Sequence, residues 1–416
     1  VEARTLLGDV YTDMKKYESA AIQYKKAIRL KPDFFPKSYL NLAKAQMKIH
    51  QFDSARLNIN EFLSFDKVSE KDRKLCVKLL DQCAYRAELV NNPVPFNPIN
   101  LGDGVNSPSN EYHPSITVDE ATLVYTRLSP NMHRNEFNRS KVQEDFFISV
   151  RDSSGWLKAI AIGPPINTKQ NEGAQCLTSG GDAIYYTACN RIFNIGGASC
   201  DIYYSKKVGN SWTKPFNLGE PVNSESWDSQ PSIASDGVTL YFNSKRAGTK
   251  GGQDLWRSVR DENGNWSKPE NLGDGINTPG NEMSPFIHPD GKTLYFASDG
   301  HRGLGETDLF VSRMDVNGKW GKPQNLGYPI NTASDEKSLI VSASGNTAYY
   351  ASDRKGGFGN LDLYKFELPE EIQAATVSFV KGKVFDALTK KPLSAAFEII
   401  NLNSGLIEAS TSSDVE

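Results

Sequence analysis

Apolar residues recur at helical spacing through the first ninety positions, then give way to short stretches rich in Tyr, Phe, Val and Ile between Gly, Asn and Asp turns. The pattern predicts an α-helical segment followed by an all-β segment. Within the helical part, Leu7, Gly8, Tyr11, Ala20, Tyr24, Ala27 and Pro32 place small residues and aromatics where two antiparallel helices would meet. The run Tyr17-Glu18-Ser19-Ala20 returns 35 residues later as Phe52-Asp53-Ser54-Ala55, with Leu42 and Ala43 in the places of Leu7 and Gly8. Residues Glu70 to Val90 read as one more amphipathic helix, apolar at Leu75, Val77, Leu79, Leu80 and Leu89, that caps the stack. Three prolines between Asn91 and Pro98 stop the helix and give an extended connector.

The β part is repetitive. Asn100-Leu101-Gly102, Asn217-Leu218-Gly219, Asn271-Leu272-Gly273 and Asn325-Leu326-Gly327 mark four copies, and Ala161-Ile162-Gly163 a degenerate fifth. Each marker leads to an Asn followed by Ser or Thr, and five residues past that Asn stands a carboxylate: Glu111, Glu172, Asp228, Glu282 or Glu336. An aromatic strand, an Arg-bearing loop and an Asp (Asp145, Asp201, Asp254, Asp308, Asp362) complete each repeat. Four strands per repeat make a propeller blade. The last repeat stops near Leu368 without an Asn-Leu-Gly strand, whereas Phe96 to Gly102 supplies one with no blade of its own. A five-bladed β-propeller closed by this N-terminal strand follows, because closure hides both edges of the ring. The expected layout is helical repeats over 1–90, a linker over 91–98, the propeller over 94–368 and a linker over 369–376. The opening strands of a small β-sandwich would occupy 377–416, with its remaining chain beyond Glu416.

Composition narrows the function. Hydrophobic residues at 38%, charged residues at 23% and a net charge of -3 leave no basic excess to neutralise phosphates, so nucleic acid is not an expected partner. No apolar run approaches the roughly 20 residues of a membrane helix. Five cysteines without CxxC spacing or a nearby His cluster give no sulfur metal site, and no cofactor motif is present. Cys76 and Cys83 are read as core. Cys189 and Cys200 end and begin facing strands; a disulfide, implying an oxidising compartment, and two free buried thiols are both open readings.

The five carboxylates are expected to ring one mouth of the central channel. One reading is a cation site or a docking rim for a basic partner. The other has each acid accept hydrogen bonds from nearby backbone N–H groups or pair with Arg191, Arg246, Arg302 and Arg354. Fivefold repetition favours architecture, since a catalytic residue is needed once. An insertion over Leu128 to Glu144 carries Arg134, Arg139 and Lys141, readable as a protein-contact tongue or as a solvated loop. The helical groove, expected to be lined by Thr5, Asp9, Asn41, Lys44 and Lys48, would hold a partner's peptide or pack on the next domain. Turns such as Ser235-Asp236-Gly237 superficially match sialidase Asp boxes, but no acid–nucleophile pairing stands out, so no catalytic residue is assigned.

The helical repeat spacing is that of a tetratricopeptide repeat (TPR). The blade motif, with Ser352-Asp353-Arg354, Gly356-Gly357-Phe358-Gly359 and Asp362-Leu363-Tyr364, resembles the TolB-type, WD-like propeller repeat over about 275 residues. The order of TPR, such a propeller and a carboxypeptidase-regulatory-like sandwich resembles the front part of Bacteroidetes outer-membrane OmpA-family proteins, including peptidoglycan-associated lipoproteins of the type IX secretion system. The resemblance implies a non-catalytic periplasmic scaffold, lipid-anchored to the outer membrane through residues outside this chain. Its partners would be envelope, secretion or gliding-machinery proteins, with peptidoglycan bound only through a C-terminal domain not in this chain. A carbohydrate-binding propeller and a sialidase-like glycoside hydrolase are the competing expectations.

Overall fold

The computed structural model describes residues 1–130, 141–189, 200–380, 384–391, 393–400, 402 and 404–412. They form two compact units, Val1–Val377 and Ser378–Glu416.

Five helices open the first unit: α1 (Glu2–Asp13), α2 (Tyr17–Leu30), α3 (Lys37–Lys48), α4 (Phe52–Leu63) and α5 (Glu70–Asn91). The small residues of the repeat are there for close approach. A Cβ on Gly8 would stand 2.5 Å from the Tyr24 ring, and Ala20 and Ala27 are fully buried against the neighbouring helices. The Tyr24 hydroxyl donates to Asp9 at 2.7 Å, tying α2 back to α1. Ser69 caps α5 by accepting from the Asp72 N–H.

Five antiparallel sheets then follow as propeller blades. Blade 3 shows the pattern in full: an inner strand Asp228–Ile233, then Thr239–Ser244, Asp254–Val259 and the two-residue outer strand Glu270–Asn271. The repeated Asn-Leu-Gly earns its place chemically. Asn271 donates to Asp254 at 2.7 Å while its carbonyl oxygen accepts from Gly273 N–H and from Asn277. Asn277, fully enclosed, clamps both the N–H and the C=O of Leu255. Gly273 holds φ +81°, a left-handed conformation that favours glycine. Blade 1 keeps the second clamp, Asn167 on Phe146, but has Ala161 where the first Asn would stand.

Closure uses the same parts. Ile99–Asn100 pairs antiparallel with Asp362–Glu367 as the outer strand of blade 5. Asn100 donates to Asp362 at 2.9 Å, and Asn106 clamps Leu363. Phe96 packs edge-on to Phe366 and Val94 N–H bonds to the Tyr328 carbonyl, so the proline-rich stretch is extended and pinned to the propeller. Between blades, Ser115, Cys176 and Ser232 each accept from an inner-strand N–H of the next blade.

The helices dock on blade 4 through the loop between its second and third strands. Leu304, 1% exposed, completes the core formed by α3, α4 and α5. Arg302 donates to the Asp81 carbonyl and carboxylate, each at 2.8 Å, and lies over the Tyr85 ring. Arg86 returns a bond to the Gly303 carbonyl. At the opposite end of the blades, residues 369–377 lie across blades 4 and 5. Tyr295 bonds the Ile372 carbonyl, Arg313 the carbonyls of Glu371 and Gln373, and Val377 N–H bonds Ala343.

In the second unit one hairpin is described, Ala396–Ile400 with Ile407–Ser412. The expected β-sandwich is not found among the described residues. Ala396–Ile400 is exposed along its whole length, and an isolated two-stranded hairpin buries too little apolar area to form a core.

Candidate functional site

Four of the repeated carboxylates sit where their inner strands begin and Glu336 four residues ahead of Ile340–Val341, and each is held from the preceding turn. The Ser or Thr four residues earlier gives it both a backbone N–H and a hydroxyl: Ser107 to Glu111, Thr168 to Glu172, Ser224 to Asp228, Thr278 to Glu282 and Thr332 to Glu336. Four are buried to 1% exposure or less, and Glu336 is half-buried.

Of the two readings of the ring, hydrogen-bonded acids fit this geometry better than an open cation site. The channel cavity, about 80 Å³, lies toward the other ends of the inner strands and is lined by residues such as His113, Gln175, Gln230, Ser284, Phe286 and Ser338. Among the described residues no carboxylate lines it. The acids are drawn into the turns because the Ser and Thr donors lie behind the strand. An apolar cavity of about 150 Å³ takes one benzene, so this one is too small for a hexose.

The arginine half of the structural reading holds in one loop only. Arg246 pairs with Asp228 at 2.6 Å. Arg302 is turned to Asp81 of α5, and Arg354 donates to the Tyr350 hydroxyl while lying 4.5 Å over the Phe96 ring. Arg191 lies outside the described residues. An arginine not singled out from the sequence, Arg127, pairs with Glu111 at 2.8 Å from the end of a strand rather than from a loop. Its place beside the repeated position was the available signal.

Burial raises three of these carboxyls, Glu111 among them in spite of its arginine and serine partners. Desolvation pushes Glu172 and Glu336 up to about 7 in spite of their threonine donors. His113, on the channel wall with Ser338 at 2.5 Å, is pushed down to about 4 by burial and by Lys337. A raised carboxyl contributes stability that is complete below its ordinary value of 4.5 and lost as pH rises through 7. Such a shift is worth about 3 kcal/mol at full burial. Glu336→Gln, discounted for partial exposure, is therefore expected to stabilise the chain by about 1–2 kcal/mol at pH 8 and by nothing at pH 5. Urea melts at the two pH values would show it. His113 has the opposite sign, its contribution being complete above 6.5 and lost as pH falls through 4.

The groove residues divide. Thr5 is buried against Ser38 and so does not line a groove, whereas Asp9, which accepts from Tyr24 and Asn41, and Asn41 itself are half-buried. Lys44 is exposed. Lys48 pairs with Glu306 of blade 4 at 3.2 Å, a contact between helices and propeller. Lys141 is exposed, while Arg134 and Arg139 lie outside the described residues. Cys189 and Cys200 face each other in register and are disulfide-bonded. Among the described residues no three His, Cys, Asp or Glu side chains gather as metal ligands, and no helix is long and apolar enough to cross a membrane.

A larger cleft, about 670 Å³, opens between the helices and blades 4 and 5. Lys15, Tyr17 and Lys48 line one side; Glu306, Ile330, Glu336 and Arg354 are among those on the other.

A family model described as TPR repeat matches residues 8–49. No curated protein matches the chain. The solved structures it is similar to are mostly glycoside hydrolases and peptidases. A glycosyl hydrolase from Bacteroides ovatus is 9% identical, over 65% of this chain and 87% of that one, with a TM-score of 0.39. A β-xylosidase/α-arabinofuranosidase from a compost microbial metagenome is 10% identical, over 69% of this chain and 100% of that one, at 0.42. The tricorn protease is 13% identical over 62% of this chain, at 0.35, and the chain spans only 25% of its length.

Proposed function

We propose that the chain is a non-catalytic scaffold of the cell envelope, periplasmic and associated with the outer membrane, that joins secretion or gliding-machinery proteins through its helical repeat and propeller faces. The observation that carries this reading is how the repeated acids are used. Every carboxylate a hydrolase could recruit from the ring is spent on a turn of its own blade, and none lines the channel cavity. Meanwhile the helices are fixed to blade 4, leaving a cleft of peptide-binding size between two rigid walls. The disulfide supports an oxidising compartment. TPR solenoids present extended surfaces suited to protein partners.

In-cell cross-linking of the full chain followed by mass spectrometry tests the reading. Envelope proteins at defined cross-links are the expected result. Turnover of a glycoside, or a glycan ligand with no envelope protein attached, would overturn it.

A further inference from the structure

Blades 1, 3, 4 and 5 provide an internal comparison, the loop of blade 2 lying outside the described residues. In blade 3 the Arg246 guanidinium fills a socket behind the inner strand: Nε donates to Ser244 Oγ at 2.9 Å, Nη1 to the Pro221 carbonyl at 3.2 Å, and Nη2 to the Val222 carbonyl and, at 2.6 Å, to Asp228. Blade 1 fills the same place with Arg127, which reaches the Val105 carbonyl at 2.9 Å and Glu111 at 2.8 Å. In blade 4 His301 bonds the Ile276 carbonyl at 2.7 Å, and Ser298 gives Glu282 an additional donor.

Blade 5 has the matching walls: the Ile330 carbonyl, Glu336, Ser352 and an arginine in the same motif position, Arg354. That arginine does not enter. Its Nε is taken by the Tyr350 hydroxyl at 2.8 Å and its plane by the Phe96 ring. Tyr350 stands where blade 3 has Phe242, and Phe96 comes from the strand that closes the ring, a neighbour found in no other blade. Among the described residues no lysine or arginine lies within ion-pair distance of Glu336. The socket opens into the 670 Å³ cleft, whose far wall is the helical solenoid.

We propose that Glu336 and the Ile330 carbonyl receive an arginine side chain from an extended segment of a partner protein lying in the cleft between solenoid and propeller. The inference rests on the scaffold reading. The planar fork of a guanidinium matches a carboxylate beside a backbone carbonyl, as blade 3 shows within the same chain. A metal ion is a poorer fit, because a single carboxylate supplies too few hard ligands.

The probe is the capped tripeptide acetyl-Ala-Arg-Ala-amide, titrated by calorimetry against the full chain, with its citrulline analogue as the isosteric neutral control. Saturable binding of the arginine probe is expected, at least tenfold weaker to Glu336→Gln and absent for citrulline. Arg354→Ala should bind at least as well as the parent. A shift of the Thr332 amide resonance on adding probe would place it at the socket without any variant. Equal binding of the citrulline probe, or binding unchanged in Glu336→Gln, would overturn the proposal. The two readings fail separately. If the probe binds at Glu336 but cross-linking finds no envelope protein, the scaffold falls and the socket stands. If envelope proteins are captured while the probe does not bind, the socket falls and the scaffold stands.

Discussion

Arg246→Ala will lower the unfolding free energy by about 3–5 kcal/mol, the cost of leaving a buried charge without its partner. Asp228 is fully enclosed, and among the described residues Arg246 is the cation paired with it. Ser224 still donates twice to that carboxylate and the backbone N–H of residue 246 still donates to Ser244, but the carbonyls of Pro221 and Val222 lose their side-chain donor together, and Ser244 loses one of its two. The control is the same substitution in the same motif two blades on. Arg354→Ala removes only a bond to Tyr350 and a stacking contact with Phe96, so its cost should stay below about 1 kcal/mol. Urea unfolding of the two variants side by side decides the matter: equal losses would mean that the guanidinium's position in the motif, and not its socket, sets its worth.

Leu304→Ala will cost about 2–4 kcal/mol, the range for emptying a buried leucine site. Here the loss falls on a joint. Leu304 belongs to the propeller chain yet is buried among Met47, Phe52, Ile59, Cys76 and Cys83 of the solenoid. Truncating it leaves a cavity between helices and blade 4, which then rely on the half-exposed Arg302–Asp81 pair, Arg86 on Gly303, Lys48 on Glu306 and the packing of Tyr328 beside His50. Such exposed pairs are each worth under about 1 kcal/mol. Limited proteolysis should then cut within 91–98 several times faster than in the parent while the propeller stays intact. An unchanged cleavage rate would show that the helices are held elsewhere.

The propeller was legible because its signals are local and repeated. Asn271, Asn277 and Asp254 recur at fixed offsets, and each recurrence performs the same latch, down to the seam at Asn100 and Asp362. The TPR spacing was legible for the same reason, with Gly8 facing Tyr24 as the repeat requires. What the sequence concealed was the use of identical residues in different company. Arg246 and Arg354 occupy one motif position, Arg302 stands two residues further along its own loop, and the three do different jobs, because Asp81 of α5 attracts one and Tyr350 and Phe96 hold another. Asp81 and Phe96 are more than two hundred residues away in the chain. The burial of the five acids was hidden in another way: the Ser or Thr four positions ahead was part of the motif, but its hydroxyl's direction is fixed only once the turn is folded. Thr5 misled because a polar side chain on a helix reads as solvent-facing until a second helix claims it.

The ring is joined by the strand that leaves helix α5, with only residues 92–98 between them. This makes the solenoid a handle on the seam. Tension applied at Val1 passes first through the helix–blade 4 contacts and then into Ile99–Asn100, whose ladder on Asp362–Glu367 is two residues long. Blade 3 feels none of that load until the seam parts, since its outer strand is continuous with the chain on both sides. Under tension, then, blade 5 is the first to open.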